Sequence, residues 1–209
     1  EVPENEPEGL VSMDWRPFRA YVRQNWTEKD WRLHRWAYAR LTARVDGEMG
    51  RVLDVLKQAG LEKETLVVLT SDHGDMDAAH RLEHKSMPYE EAIHVPFIVS
   101  WKGVTKAVLI DREHMVSSGL DLIPTICDFA GIPVPDGLRG RSARKLAEGS
   151  VVDDWRKNLV IENERLRLLH MGKTKYAVYE KGAGREQFMD LEKDPGEMKN
   201  FAGDPAYKL

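Results

Sequence analysis

Cysteine is nearly absent. Cys127 stands alone among 209 residues, so no disulfide within the chain contributes to its stability. It sits in Leu122-Ile-Pro-Thr-Ile-Cys-Asp-Phe-Ala130, an apolar helical pattern that predicts a buried small hydrophobe rather than a nucleophile. No run is long and apolar enough to span a membrane. Charge of one sign does not clump either. The 31 Lys and Arg and 35 Asp and Glu alternate to a net charge of -4, which excludes a nucleic-acid face or a polybasic lipid surface. Internal repeats and low-complexity tracts are missing, and the opening Glu1-Val-Pro-Glu-Asn-Glu-Pro-Glu8 reads as an extended linker. What remains, 42% hydrophobic and 32% charged, is a composition typical of globular domains, long enough for one large domain or one and a half smaller ones.

Residues 1–26, rich in proline and tryptophan, predict an irregular lead-in. Thr27 followed by Asp30 predicts a helix start with a capping-box acid. Leu41, Val45, Met49, Val52 and Leu56 then recur at helical steps, and Gly60 supplies a left-handed cap. Gly47 and Gly50 within that helix predict close packing against a neighbour. Apolar runs at 65–71 and 95–100 predict strands covered by helices on both faces, with Ala107-Val-Leu-Ile110 as a third, shorter one. A helix near 121–130 carries Pro124 in its first turn and stops at Gly131. Beyond Arg141 the texture changes. Segments 158–162, 165–171, 174–180 and 186–191 are short and partly alternating, with a hairpin tip at Met171-Gly-Lys173 and a last turn at Asp194-Pro-Gly-Glu197. The reading is an irregular segment 1–26, an α/β core over 27–145 and a small antiparallel subdomain over 146–209.

Chemistry concentrates just after the first of those strands. Asp72-His73-Gly74 follows Thr65-Leu-Val-Val-Leu-Thr-Ser71, so a carboxylate and an imidazole sit at a strand's carboxyl end, where open α/β sheets bind ligands. Asp before Gly is on its own as readily a turn residue. Lys85 beside a divalent ion could hold an anionic oxygen and stabilise a leaving group, against the plain alternative of a solvated lysine. His80 could contact substrate or brace the loop, while Glu90 and Glu91 predict backbone anchoring or pairing with a cation. His80-Arg-Leu-Glu83-His84 also fits the His-x-x-Glu-His zinc-peptidase pattern. That requires a helix bearing both histidines, and Pro88 cuts such a helix short.

Four blocks in order carry a resemblance. They are Tyr38 to Leu53, Thr70-Ser-Asp-His-Gly74 with His80 and Lys85, Asp121 to Ser142, and Asp190-Leu-Glu-Lys-Asp-Pro-Gly-Glu197 with Asn200. Together they resemble the second half of the sulfatase family, within the alkaline-phosphatase-like superfamily. The resemblance implies part of an alkaline-phosphatase-like mixed sheet flanked by helices, followed by a small antiparallel carboxy-terminal sheet. It implies Asp72 and His73 as calcium ligands, and Lys85 with His80 as sulfate-binding and catalytic residues. His94 stands where many members carry arginine and is read as structural. In the family a cysteine or serine is converted to formylglycine, whose hydrate attacks sulfur as the alcohol departs; elimination then releases sulfate and regenerates the aldehyde.

The Cys/Ser-x-Pro-x-Arg modification site of that family is absent. Ser86-Met-Pro88 begins like one, but Glu90 occupies the position that requires arginine. Asp72 and His73 alone cannot satisfy calcium, which takes about six to eight oxygens. The expectation is therefore a sulfate-ester hydrolase acting on a sulfated small molecule or saccharide, inactive as this chain alone and dependent on a missing amino-terminal half or partner chain. A phosphonate or phosphate-ester hydrolase of the same superfamily is the nearest alternative. A non-catalytic folding or interaction module is another, and it predicts exposed apolar faces.

Overall fold

A computed structural model describes residues 1–11 and 17–207. In chain order the elements are α1 (Glu8–Val11), α2 (Pro17–Asn25), α3 (Glu28–Gln58), β1 (Val67–Thr70), a 3-10 turn (Ala79–Arg81), α4 (Glu90–Ile93), β2 (Phe97–Ser100), α5 (Leu122–Ala130), α6 (Arg144–Ala147), β3 (Leu159–Glu162), β4 (Leu166–His170), β5 (Thr174–Tyr179), β6 (Glu186–Asp190) and a 3-10 turn (Pro205–Tyr207). This is an α/β chain with a two-stranded sheet and a separate four-stranded antiparallel sheet. No helix among the described residues is long and apolar enough to cross a membrane.

The chain folds as two units. The first comprises Glu1–Ala39, His73–His94 and Lys157–Leu209. Its core joins Leu10, Met76, Leu82, Met87, Tyr89 and Ala92 to Leu166, Leu168, Ala177, Tyr179 and Met189. The loop 73–94 thus packs on the carboxy-terminal strands, so the grouping crosses the division drawn from sequence at 145 and 146. Strands β3 to β6 form an antiparallel meander in sequence order, and Met171 N–H donates to Thr174 O (2.9 Å) at the expected hairpin tip. The last turn closes with Glu197 N–H donating to Asp194 O (3.0 Å).

Within 1–26 the structure corrects the irregular reading, because Pro17–Asn25 is helical. Proline at the first helical position has φ preset and no amide to leave unpaired. Residues 12–16 of that lead-in lie outside the described residues. Helix α3 begins as expected. Thr27 N–H donates to Asp30 Oδ2 (2.8 Å) and Asp30 N–H returns to Thr27 Oγ1 (3.4 Å), a reciprocal capping box.

The second unit comprises Arg40–Asp72 and Val95–Arg156. Strands β1 and β2 pair antiparallel, Val67 opposite Ser100 and Thr70 opposite Phe97. Ile98 is exposed, so β2 is not covered on both faces by the described residues. Gly60 (φ 72°) ends the helix, and Leu61 N–H reaches Leu56 O at 3.2 Å. An added Cβ at Gly47 or Gly50 would meet nothing within 4 Å among the described residues, so close packing there is not found. Leu41, Val45 and Val52 form the predicted apolar face, and all three are exposed. The third strand at 107–110 is not formed. Val108 has φ 55° and is 98% exposed, which takes the backbone out of the β region. Helix α5 ends at Gly131 as predicted, and Cys127 is a buried free thiol. Asp121, fully buried, binds Arg156 through both carboxylate oxygens and accepts the amides of Ser117 and Arg141, each at 2.8 Å.

Candidate functional site

The loop 73–94 belongs to the first unit and starts where the second unit closes at Asp72. Asp72 is exposed, with Ser71 Oγ 3.4 Å from its Oδ1. His73, joined to it by a peptide bond, has Nδ1 2.7 Å from Gly74 O. Its ring centroid lies 6.1 Å from that of His84. Gly74 N–H donates to Ala92 O at 2.8 Å, and a Cβ at Gly74 would stand 2.0 Å from Glu91 O. The loop and α4 therefore meet backbone to backbone, and only glycine fits.

Between these contacts the chain is strongly turned. Asp77, Ala78, His80, Arg81, His84 and Ser86 have φ between 41° and 81°, a region that disfavours every residue with a Cβ. Asp75 Oδ1 accepts the amides of Asp77 (2.8 Å) and His84 (3.3 Å), and Met76 N–H donates to His84 O (2.8 Å). Such a cluster persists only where surrounding contacts over-determine it, a situation concentrated at functional sites. The zinc-peptidase reading fails here. Only a three-residue 3-10 turn forms, His80 is itself non-helical, His84 is exposed, and Glu83 is taken by Arg19 at 3.1 Å.

His80 is 5% exposed and stacks on Tyr89, centroids 3.9 Å apart. Its Nε2 stands 3.6 Å from Glu91 Oε2, and its Nδ1 is buried without a hydrogen-bond partner among the described residues. Burial pushes Glu91 up, yet pairing with His80 and its own backbone bond hold it below the usual carboxylate range. Desolvation and the nearby Arg19 charge lower His84. Lys85 is partly buried, and its carbonyl accepts Arg19 Nη1 at 2.7 Å. Arg19, on α2 and itself 5% exposed, thus fixes the backbone of the lysine singled out for anion binding.

Arg19 was not singled out in the sequence, and neither was Lys175. Lys175 on β5 is fully buried and contacts Pro88 O (2.8 Å), Glu90 Oε1 (2.9 Å) and Glu197 Oε1 (2.5 Å). Glu197 Oε2 accepts the Glu90 amide at 2.7 Å. Strand alternation held the signal, since Lys175 shares a face with the buried Ala177 and Tyr179. Glu90 pairs with a cation as expected, and His94 Nδ1 lies 3.2 Å from Glu90 Oε2.

No group of three or more His, Cys, Asp or Glu able to hold a metal ion is found among the described residues. Asp72 and His73 offer one carboxylate and one imidazole, which fits a share of a divalent-cation shell and not a whole one. A groove of about 480 Å³ in the second unit is lined by Ile110, Asp111, His114, Leu146 and Val152 among others, and by none of the residues above.

Residues 16–132 match the family Sulfatase, and residues 78–209 match N-sulphoglucosamine sulphohydrolase, C-terminal. A Delta 4,5-hexuronate-2-O-sulfatase of Bacteroides thetaiotaomicron is 34% identical over 193 residues, covering 88% of this chain and 40% of that protein. The solved structure of a 2-O GAG sulfatase superposes with a TM-score of 0.84 at 29% identity, over 99% of this chain and 48% of its own. Phosphonate monoester hydrolase of Agrobacterium radiobacter gives 0.76 at 27% identity, over 88% and 40% respectively. The chain therefore spans less than half the length of these relatives.

Proposed function

Because the chain belongs to the sulfatase family, we propose that the protein containing it hydrolyses sulfate esters, with a sulfated saccharide as substrate. The observation that carries this is the loop 73–91, which follows directly on Asp72, carries His73 and Lys85, and has a strained backbone between them at 77–84, in a chain whose relatives include saccharide sulfatases. Asp72 and His73 would supply two donors to a divalent cation, calcium by family expectation, and a bound cation would polarise the sulfate oxygens. Lys85 would hold a sulfate oxygen, its position set by Arg19 on its own carbonyl. The burial of His80 between Tyr89 and Glu91 supports the bracing role over direct contact with substrate.

The remaining donors and the formylglycine nucleophile would come from a region beyond these residues, in the same polypeptide or a partner, and this chain alone would be inactive. The exposed face of Leu41, Val45 and Val52 supports a further layer of protein over α3. Likeness to the phosphonate monoester hydrolase keeps phosphonate and phosphate esters as the second reading.

The test is the whole protein assayed in parallel on chromogenic sulfate, phosphate and phosphonate esters. Sulfate should be turned over fastest, and Lys85→Ala should lose at least about a hundredfold in kcat/KM. Faster phosphonate or phosphate hydrolysis would establish the second reading. No turnover of any ester by a metal-loaded, formylglycine-bearing protein would leave the non-catalytic module.

A further inference from the structure

We propose that Lys175 is a positioning residue for the loop that carries His73 and His80, which makes the carboxy-terminal sheet part of the working site; this rests on the sulfatase reading above. A lysine is almost never fully buried unless paired, since desolvating an ammonium is costly. Here three oxygens offset that cost, and none belongs to the sheet. Pro88 O and Glu90 Oε1 lie on the loop, and Glu197 Oε1 lies on the final turn. On this buried face Lys175 stands opposite Met189 on β6 and two residues before Ala177, both in the apolar core, so packing alone would be served by an apolar residue.

The connections onward are short. Pro88 precedes Tyr89, on which His80 stacks at 3.9 Å. Glu90 precedes Glu91, whose carboxylate faces His80 Nε2 at 3.6 Å. Ala92 O holds the Gly74 amide at 2.8 Å, one residue from His73. Glu197 adds a second tie, accepting the Glu90 amide at 2.7 Å while Lys175 holds its other oxygen. His170 Nε2 on β4 stands 3.4 Å from Glu90 Oε1, a second contact from the sheet to the same carboxylate. Removing the ammonium takes away the direct tie of Pro88 and Glu90 to β5, and so loosens the segment against which both histidines are set.

The experiment uses Lys175→Met, and the charge-neutral pair Lys175→Met with Glu197→Gln in case the single change unfolds. Hydrogen exchange of peptides spanning 73–93 is compared with peptides from β4 and β5, and kcat and KM are measured on a sulfate ester in the whole protein. Loop exchange should rise at least about tenfold while β4 and β5 stay protected, and kcat should fall at least about tenfold with KM moving less than about threefold. Loop protection equal to wild type overturns the proposal whatever the kinetics. Equal loss of protection in loop and sheet in both variants also overturns it, leaving Lys175 as a fold element. If wild type hydrolyses no sulfate ester, the functional reading fails by itself, and loop exchange alone decides whether Lys175 positions the histidines.

Discussion

The imidazole of His80 lies flat on the ring of Tyr89, centroids 3.9 Å apart and planes 13° from parallel. Tyr89 is itself fully buried and donates its hydroxyl to Glu6 Oε1 at 2.9 Å, with Gln187 Nε2 3.4 Å away. The stack and the hydroxyl are therefore separable. Tyr89→Phe should cost about 1–3 kcal/mol by stranding buried polar partners, and leave His80 in place. Tyr89→Ala should cost about 3–5 kcal/mol and release His80. Chemical denaturation of both variants, read with the imidazole chemical shifts of His80, checks the difference.

Ala78 carries φ 74° and ψ -4° with no glycine to ease it. An L-residue there pays about 1–2 kcal/mol, and glycine returns about 0.4–1 kcal/mol of that through its more flexible unfolded chain. Ala78→Gly should therefore stabilise by about 0.5–1 kcal/mol, seen as a higher Tm. An unchanged or lower Tm would mean the turn is not strained at this residue.

The parts legible in the sequence are those governed by local rules. Thr27 and Asp30 announced their capping box, and the alternating segments after 157 gave four strands close to the expected bounds. The helix at Pro17–Asn25 carried its signal in the proline, outweighed by the polar composition around it. The turns at 77–86 were not legible, because alanine, histidine and arginine do not advertise a left-handed backbone as glycine does. Arg19 and Lys175 were missed for another reason. Their partners lie 66 and 87 residues away, and no local pattern encodes a contact of that range. At 107–110 an apolar run read as a strand, yet a strand needs a partner as well as a composition.

Glu90 has an ordinary value of 4.5. Burial pushes it up, but the His170 hydrogen bond and the Lys175 charge bring it to about 2. A depressed folded value means the unfolded chain binds more protons between about pH 2 and 4.5, so this group's stabilisation is complete above that window and is lost as pH falls through it. The shift corresponds to at most about 3 kcal/mol. Glu197 acts oppositely, since burial raises it and its contribution fades as pH rises through the folded value. Glu90→Gln should flatten the acid limb of stability against pH, measured by urea unfolding from pH 2 to 6.

In the second unit, Asp121 is the fully buried carboxylate that holds Arg156 and two backbone amides. Asp121→Asn leaves the guanidinium without its counter-charge and should cost about 3–5 kcal/mol. Adding Arg156→Met should recover part of that loss, because the remaining site is then uncharged. Denaturant midpoints of the single and double variants give the coupling. Strict additivity would mean the ion pair contributes nothing beyond its separate members.

Gly74→Ala tests the close approach that seats His73. The φ of Gly74 is not among the positive values, so space and not backbone freedom demands glycine here. An added Cβ would meet Glu91 O at 2.0 Å, Glu91 C at 3.0 Å and Ala92 C at 3.3 Å. All three are backbone atoms, so no side chain can swing aside. Either the loop or α4 must move, and the Gly74 to Ala92 hydrogen bond of 2.8 Å goes with it. Overpacking of this kind should cost about 1–3 kcal/mol. In the whole protein the displaced His73 should also lower sulfate-ester turnover by about a hundredfold, beyond what reduced stability explains at a temperature where the variant stays folded. A folded variant with full turnover would mean that His73 is not held by this contact.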